Sequence, residues 1–519
     1  MAKIDIKDLK GGLNLQEPST LKDNQFEILN NFNYDADGRL ITRRGITNFG
    51  NTVPNDKPQT SYFFYKNTTT WLRTALITAG TSMYSYDEGT LAWTSIKTWL
   101  TEFEADGVTR TRWSFAVYLE KIYMCNGIDD YAEYDAATDT YTTVPAQPKV
   151  RYLAFLWDSI YGAWDDTNPN LLYATDAAAV DGRTLNANEV FVGWETDWRI
   201  NCIEELQQSV LAFKDKKVYD IAWDMSSAKA LDAENGWYWE RSVKRAWNSL
   251  IYFNDRWFNT LKAKAGITGT TAIQDEPLSD DVRQLTSQVS TKEYNSTIWT
   301  YILPLTNYYG SFETGSGWSP DTTLVYSTLT KGWSRHFYPA HYDYGQYEDE
   351  DGVIHYIMTS ATSNQVFEME TGFQDLSSPI QCELLTKRFD LGEAMLNKTH
   401  TAVDIQWLKS EWVEIEVDII IDWEVVGGWT ITDDYANITS SVLTIWTRPI
   451  GSLVIWWWAA SWDDVDLYKY FIRFALYEVW TDIQIRMKSN EIGAVWVLDK
   501  LTLHLDKEDV DLFDYQNIW

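Results

Sequence analysis

The chain has 519 residues, of which 45% are hydrophobic and 15% aromatic, enough for packed cores in two or three domains. Its formal net charge is −32, and so acidic a surface repels phosphate, which argues against broad nucleic-acid binding through counterion release. No apolar run is long enough for a membrane helix. The N-terminus, MAKIDIKDLKGG, lacks the apolar segment of a signal peptide, so we expect synthesis in the cytoplasm.

The first fifty residues differ in texture from the rest of the chain. Asn24 and Glu27 have the spacing of a capping box and precede Ile28 and Leu29, which predicts a short helix over 24–32. In YDADGRLITRRG the Asp37-Gly38 pair predicts a hairpin bend, followed by a strand that ends at Gly45. Residues 1–50 are therefore expected to form an N-terminal arm with one helix and one strand.

Residues 51–378 show short strands separated by turn residues. MYSYDEGTLAWTSI (83–96) and YAEYDAATDTYTTV (131–144) share one layout, with Tyr86 and Tyr134 48 residues apart. VYSTLTKGWSRHF (325–337) and VFEMETGFQDL (366–376) are looser copies of this hairpin, and SVLAFKDKKVYDIA and SLIYFNDRWFNTLKA each indicate strand, turn and returning strand. Repeats of forty to fifty residues are typical of propeller blades, and six or seven blades fit the length. A large β-sandwich would produce similar local signals.

Residues 379–519 contain longer strands, such as WVEIEVDIIIDWEVVGGWTI and DIQIRMKSNEIGAVWVLDKLTLHL. Ile483, Ile485 and Met487 alternate with polar neighbours, which is typical of a half-buried strand. We predict a mainly β protein: a β-propeller-like domain with an N-terminal arm and a C-terminal antiparallel β-sandwich.

Many tryptophans stand at predicted chain reversals. In IIIDWEVV (419–426) a two-residue hairpin loop wants Asp-Gly, because both loop positions need positive φ. The chain has 27 glycines in 519 residues, a smaller share than the about 7% that is usual for proteins. Our hypothesis is that these tryptophans stand for glycine, from a gene whose UGA codons are read as glycine. The sixteen positions are Trp157, Trp164, Trp194, Trp198, Trp223, Trp237, Trp239, Trp247, Trp257, Trp423, Trp429, Trp456, Trp457, Trp458, Trp462 and Trp480.

The alternative is a genuine aromatic cluster, such as a carbohydrate-stacking patch or a membrane-touching tip. Other tryptophans sit inside predicted strands beside aromatic or β-branched residues, which is typical of a hydrophobic core. These are Trp93, Trp113, Trp299, Trp333 and Trp496.

If the sixteen tryptophans are allowed to be glycine, the chain resembles a group of phage virion proteins. These are the packaged-DNA stabilisation and tail tubular (nozzle) proteins of short-tailed phages. The resemblance rests on GGLN (11–14), Pro18, Leu21, DGRLITRRG (37–45), RWSFAVYLEKIYMCNGIDDYAEYD (112–135), PKVRYLAFL (148–156), EELQQSVLAFKDKKVYDI (204–221) and SLIYFNDRWFNTL (249–261).

The resemblance implies a structural virion protein without enzymatic activity or cofactor. Several copies would form a ring below the head–tail connector, extend the DNA channel and retain the genome until ejection. The implied partners are other copies, the connector or adaptor, distal tail proteins, and DNA passing without sequence-specific contact. The alternative is a glycan-binding or glycan-cleaving propeller whose exposed tryptophans stack on sugars.

The most concentrated positive charge is Arg39, Arg43 and Arg44. Strand alternation puts Arg39 and Arg43 on one face and Arg44 on the other. The cluster is either a solvated arm or a surface that docks onto an acidic neighbouring subunit.

Other candidate sites are weaker. His336 and His341 are five apart around Pro339, a poor spacing for one metal, and the acidic run at 342–352 lacks the ligand spacing of a calcium loop and is expected to be a solvated turn. Cys125, Cys202 and Cys382 are expected to be buried thiols, and no catalytic motif is found.

Overall fold

A computed structural model describes residues 2–506 apart from some internal positions. These positions are 7, 36, 68–71, 108–109, 136, 157, 177–183, 194–198, 207–208, 215–216, 223, 232–241, 247–248, 255–257, 266–270, 289–297, 303–305, 313–319, 321, 390–397, 411–412, 432–458, 463–464, 476–478, 481 and 492.

The N-terminal residues form short strands rather than a free arm. The strands are β1 (Ala2–Ile6), β2 (Gly12–Leu13), β3 (Gln25–Asn30), β4 (Phe32–Tyr34), β5 (Leu40–Thr42) and β6 (Ile46–Asn48). One 3₁₀ turn, Pro18–Thr20, separates β2 from β3.

The next part of the chain forms consecutive four-stranded antiparallel sheets, which we call blades. Blade 1 contains β7 (Pro58–Asn67), β8 (Leu72–Ala79), β9 (Ser82–Asp87) and β10 (Ala92–Thr98). Blade 2 contains β11 (Ser114–Tyr118), β12 (Lys121–Cys125), β13 (Ala132–Asp135) and β14 (Thr140–Thr143). Blade 3 contains β15 (Val150–Leu156), β16 (Ser159–Asp165), β17 (Leu171–Ala174) and β18 (Asn188–Phe191). Blade 4 contains β19 (Ile200–Leu206), β20 (Ser209–Lys214), β21 (Val218–Ile221) and β22 (Ala228–Ala230).

Blades 5 and 6 have the same plan. Blade 5 contains β23 (Lys244–Ala246), β24 (Ser249–Phe253), β25 (Phe258–Ala265) and β26 (Thr271–Pro277). A 3₁₀ turn, Asp280–Val282, and the four-residue helix α1 (Arg283–Thr286) come after it. Blade 6 contains β27 (Ile298–Ile302), β28 (Asn307–Phe312), β29 (Thr322–Ser327) and β30 (Trp333–His336).

Blade 7 is closed by the N-terminus. Its first three strands are β31 (His341–Glu348), β32 (Ile354–Ser360) and β33 (Val366–Met369), and the fourth is β6, which pairs with β33 from Ile46↔Met369 to Asn48↔Phe367. The inner strand β31 packs against β7 of blade 1, so the blades form a closed ring. The structure is thus a seven-bladed β-propeller whose last blade joins the two ends of the repeat region.

The repeat seen in the sequence corresponds to the third and fourth strands of the blades. Across these hairpins Tyr86 pairs with Trp93, Tyr134 with Tyr141, and Tyr326 with Trp333. The segment at 366–376 departs from the predicted hairpin, because its fourth strand is supplied by β6.

The remaining strands build a two-sheet sandwich with the N-terminal ones. They are β34 (Cys382–Thr386), β35 (Lys398–Ser410), β36 (Ile415–Ile421), β37 (Glu424–Ile431), β38 (Ala459–Trp462), β39 (Val465–Ala475), β40 (Val479–Trp480), β41 (Ile483–Ser489) and β42 (Trp496–Asp506). One sheet has the order β3-β34-β41-β36-β37 and continues blade 6 through β30. The other has the order β38-β39-β35-β42-β5-β4, with β1 beside β42 and β40 beside β35. Both sheets share a core in which Ile483, Ile485 and Met487 are fully buried, as the alternation predicted, although the intervening Gln484 is buried as well.

The helix predicted over 24–32 is wrong, because this segment is the strand β3. β3 pairs antiparallel with β34, from Phe26↔Thr386 to Asn30↔Glu383, and meets β30 at Asn30↔Arg335. Two open sheet edges therefore hydrogen-bond to β3, and these ladders override a local capping signal. The hairpin bend at Asp37-Gly38 is confirmed: Gly38 has φ +80°, and the Asp35 carboxylate accepts hydrogen bonds from the amides of Asp37 and Arg39.

Of the five among these sixteen tryptophans that the structure describes, two have the backbone expected of glycine. Trp164 has φ 61° and Trp423 has φ 77°. Asp422 (φ 47°) and Trp423 form the two-residue loop between β36 and β37, where Ile421 pairs with Glu424, as the sequence predicted. Trp429, Trp462 and Trp480 lie within strands, where the backbone does not demand glycine. The others, Trp157, Trp194, Trp198, Trp223, Trp237, Trp239, Trp247, Trp257, Trp456, Trp457 and Trp458, lie outside the described residues.

Four of the tryptophans predicted to lie in the core are buried, although Trp113 precedes β11 rather than lying within a strand. Trp93, Trp113, Trp333 and Trp496 are at most 5% exposed, whereas the side chain of Trp299 is outside the described part. The three cysteines are buried and free, as predicted.

Candidate functional site: the central channel

The inner strands of the propeller surround a cavity of about 530 Å³. Its wall comes from six of the seven blades, each contributing its first strand or the segment before it. The volume lies within the range of small-molecule sites and is far too small to admit a DNA duplex. The lining includes Ser61, Arg110, Arg112, Ser114, Phe115, Arg151, Tyr152, Phe155, Glu204, Glu205, Lys244 and Asp343.

Short polar side chains of one inner strand bind the backbone of the next. The Asp343 carboxylate of blade 7 accepts a hydrogen bond from the Ser61 amide of blade 1 at 3.2 Å. Thr60 Oγ1 accepts from the Trp113 amide at 3.4 Å, and Ser114 Oγ accepts from the Leu153 amide at 2.9 Å. These bonds satisfy inner-strand amides that lack a ladder partner toward the channel, and they fix the spacing of blades 7, 1, 2 and 3.

Charges in the wall are compensated by ion pairs, two of which join different blades or a blade and the preceding connection. Arg151 of blade 3 binds Glu104 at 3.1 Å, Arg110 binds Glu102 at 3.2 Å, and Arg245 of blade 5 binds Glu205 of blade 4. The lining therefore presents paired dipoles rather than one dominant charge. Such a wall can hold water or a small polar molecule, while its ion pairs stabilise the ring.

Glu204 is the wall carboxylic acid whose pKa is raised most. Burial in the wall raises its pKa to about 7, against the opposing effect of the nearby Lys244 ammonium. An acid whose pKa is raised on folding contributes stability that is complete below its unfolded pKa of 4.5 and is lost as the pH rises through 7.

We expect Glu204→Gln to make the protein less sensitive to alkaline pH. Glutamine keeps the shape without the charge, so the gain in unfolding free energy should grow from near zero at pH 4.5 to on the order of 2 kcal/mol at pH 8. Thermal melts from pH 4.5 to 8 measure this difference. The neighbouring Glu205→Gln serves as control, because Glu205 is paired with Arg245 and should lose stability instead. A pH-independent difference for Glu204→Gln would contradict the assignment.

The structure places Arg43 in the core rather than on a docking surface. Its side chain is 1% exposed, and its guanidinium binds Asp375 through two hydrogen bonds of 2.9 and 2.5 Å. It also donates to Asn31 Oδ1 and to the Phe337 carbonyl. A group so enclosed is not accessible to a neighbouring subunit, so docking remains a prediction for Arg39 and Arg44 only.

Arg39 and Arg44 lie nearer the surface. Arg39 is 34% exposed and binds Asp35 at 2.7 Å and Asp37 at 3.2 Å across the hairpin bend. Arg44 is half-buried, with its guanidinium 6.0 Å from the ring centre of Phe373. The structure therefore separates the three arginines that the sequence grouped together.

The two histidines considered as metal ligands, His336 and His341, are buried in the core. His336 is fully buried with Nε2 2.9 Å from the Phe32 carbonyl, and burial and the Arg43 charge lower its pKa to about 3. Burial lowers the pKa of His341 to about 4. The acidic run at 342–352 forms β31 and the tight turn before β32, where Gly352 has φ +81°. Among the described residues, no group of histidine, cysteine and acidic side chains could hold a metal ion.

The channel residues were missed by the sequence analysis. The sequence carries little signal for them, because first strands such as SFAVY (β11) and INCIEEL (β19) show no regular alternation of polar and apolar residues. Which strand of a blade faces the axis is decided only when the ring closes.

Comparison with known proteins identifies no family. No family model and no curated protein matches the chain. None of the helices in the described residues is long and apolar enough to cross a membrane.

Several solved structures are distantly similar. An extracellular domain of the putative one-component system BT4673 from B. thetaiotaomicron is 9% identical with a TM-score of 0.41, over 80% of this chain and 50% of that one. Virginiamycin B lyase from Staphylococcus aureus is 7% identical with a TM-score of 0.41, over 62% of this chain and 98% of that one. YCF48 from Cyanidioschyzon merolae is 8% identical with a TM-score of 0.38, over 63% and 98%. The chain spans about half of the BT4673 domain. At these scores the likeness carries no functional weight, and the architecture, a β-propeller joined to a β-sandwich, rests on the strand pairing described above.

Proposed function

We propose that the chain is a non-enzymatic structural component of a phage tail, a hub, nozzle or DNA-stabilising ring subunit below the head–tail connector. The observation that carries the proposal is the interlocking of the chain. Residues 1–50 supply β3 to one sheet of the sandwich, β1, β4 and β5 to the other, and β6 to blade 7. Such a chain is one continuous building block suited to bearing load, and the arm, propeller and sandwich cannot separate without breaking ladders in three sheets.

The acidic charge fits a wall past which DNA slides. With a net charge of −32, each subunit offers phosphates little attraction, so DNA would move through a lumen without sequence-specific contact. Because the propeller cavity cannot admit a duplex, the proposal requires a lumen formed between subunits. The partners are then other copies, the connector and distal tail proteins.

The proposal predicts ring-shaped assemblies of the purified chain. Native mass spectrometry and negative-stain images should show closed oligomers with a central hole, alone or upon addition of any portal and adaptor proteins found encoded in the same genome. A gel-shift assay with linear duplex DNA at low salt should show no retention. A chain that stays monomeric under all these conditions would contradict the proposal.

A glycan-binding propeller is the second candidate, favoured by two solvent-exposed indoles. Trp99 is 92% exposed and Trp423 is 72% exposed. Sugar-array binding that Trp99→Ala or Trp423→Ala abolishes would support this candidate, and absence of binding by the parent chain would remove it.

A further inference from the structure

One face of the propeller carries exposed apolar side chains on consecutive blades. The turns between first and second strands, and those between third and fourth, lie on the same face of the ring, because the four strands of a blade alternate in direction. On this face, which we call the turn face, Tyr347 of blade 7 hydrogen-bonds Glu88 of blade 1 at 2.5 Å, and the rings of Tyr118 (blade 2) and Phe155 (blade 3) are 5.6 Å apart. The exposed apolar residues are Val353 (53%), Ile354 (41%), Leu91 (52%), Leu119 (58%) and Phe155 (37%).

The two leucines in this set, Leu91 and Leu119, have an unfavourable backbone conformation and an unfavourable exposure to water. Leu91 has φ 54° and Leu119 has φ 50°. A left-handed backbone costs a residue with a Cβ roughly 1–2 kcal/mol, and glycine or asparagine would be easier there. Each leucine also leaves more than half of its side chain in water. Backbone strain at exposed apolar residues indicates a binding contact in which burial of the leucine side chains offsets the strain.

The turn face is also strongly acidic. The turns β9–β10, β11–β12, β13–β14, β15–β16 and β31–β32, taken with the strand residue on each side, contain one lysine among their described residues: Lys121, which is 3.7 Å from Glu133. They hold the carboxylates of Asp87, Glu88, Glu120, Asp135, Asp139, Asp158, Glu348, Asp349, Glu350 and Asp351. Asp349 is paired with His355 at 2.9 Å.

We propose that the turn face of blades 7, 1, 2 and 3 docks a protein of different sequence whose contact surface is apolar and rimmed by lysine or arginine. Charge complementarity selects this occupant. A second copy would bring its own net charge of −32 against the acidic rim, and DNA would be repelled. The leucines supply the buried centre of the contact, and the carboxylates steer the basic partner and set its orientation. The proposal holds whether or not the chain is a tail component.

The test uses the full chain and a synthetic probe. The probe is a labelled helical peptide of about 14 residues, with leucines at i, i+3, i+4 and i+7 and lysines elsewhere. Fluorescence anisotropy at low salt should show saturable binding. The double variant Leu91→Asn, Leu119→Asn should raise the Kd at least ~10-fold. Because asparagine tolerates the left-handed backbone, this variant should melt at the same temperature or higher, which separates lost docking from lost folding.

Two controls sharpen the result. Phe191→Asn changes an apolar residue that is 45% exposed at the opposite end of the strands and should leave the Kd unchanged. A peptide of the same composition without an apolar face should bind at least ~10-fold more weakly. Equal binding by the double variant, equal binding by the faceless peptide, or an equal loss with Phe191→Asn would overturn the proposal. So would a self-association of the parent chain that the double variant abolishes, because the occupant would then be a second copy.

Discussion

Replacing Arg43 by alanine is expected to lower the free energy of unfolding by about 3–5 kcal/mol. The guanidinium joins three segments that are distant in sequence: Asn31 between β3 and β4, Phe337 between β30 and β31, and Asp375 after β33. It also lies 4.3 Å from the ring centre of Tyr338. Alanine leaves the Asp375 carboxylate and a backbone carbonyl without donors in a largely buried site, and it removes a polar link between the segment before β6 and the loop after β33.

Arg39 provides the matched control for this prediction, since it flanks the same short strand. It is 34% exposed and paired with Asp35 and Asp37, so Arg39→Ala should change the unfolding free energy by at most about 1 kcal/mol. Urea denaturation of both variants measures the difference. A double-mutant cycle with Asp375→Asn should give a coupling energy of about 1–3 kcal/mol. Equal losses in the two single variants would show that Arg43 does not hold the blade closed.

The propeller was predictable from local pairing, and its closure was not. The aromatic pairs Tyr86–Trp93 and Tyr134–Tyr141 span hairpins of a few residues, so their spacing is written in contiguous sequence. The pairing of β6 with β33 joins residues about three hundred positions apart, and nothing local marks Ile46 as the partner of Met369. The same holds for β3, where the capping signal of Asn24 and Glu27 was outweighed by ladders to remote strands.

In the candidate sites too, the features set by residues close in sequence could be predicted, and those set by the tertiary fold could not. Arg43 was predicted to be accessible because it belongs to a charged cluster, yet burial is decided by Asp375 and Phe337, which only the tertiary fold brings together. The channel wall depends on which strand of each blade faces the axis. Leu91 and Leu119 gave no signal, because their left-handed backbone is set by turns whose sequences, EGTL and YLEK, carry no glycine at those positions.

Trp423→Gly is expected to stabilise the protein by about 1–2 kcal/mol, and its outcome tests whether tryptophan is the native residue there. Asp422 and Trp423 form a two-residue loop with φ 47° and 77°, the geometry for which Asp-Gly is preferred, and the indole is 72% exposed and so contributes little burial. Glycine relieves the backbone strain, but it also gives the unfolded chain more conformational entropy. This entropy reduces the gain in unfolding free energy toward the lower end of that range.

Trp496→Gly is the opposite control, because Trp496 is fully buried with its ring 4.9 Å from Phe32. We expect this variant to lower the free energy of unfolding by more than about 3 kcal/mol.

In Trp164→Gly two effects on stability oppose each other. Glycine relieves the backbone strain at φ 61°, but the variant loses the burial of a ring that is 5% exposed and lies beneath Arg199 and Arg151. Trp99, outside the sixteen, has φ 65° and is 92% exposed, so it should respond like Trp423. If Trp423→Gly and Trp99→Gly both lower the melting temperature, the glycine hypothesis loses its physical basis. If both raise it, the codons at these positions are expected to be UGA, which the gene sequence would show directly.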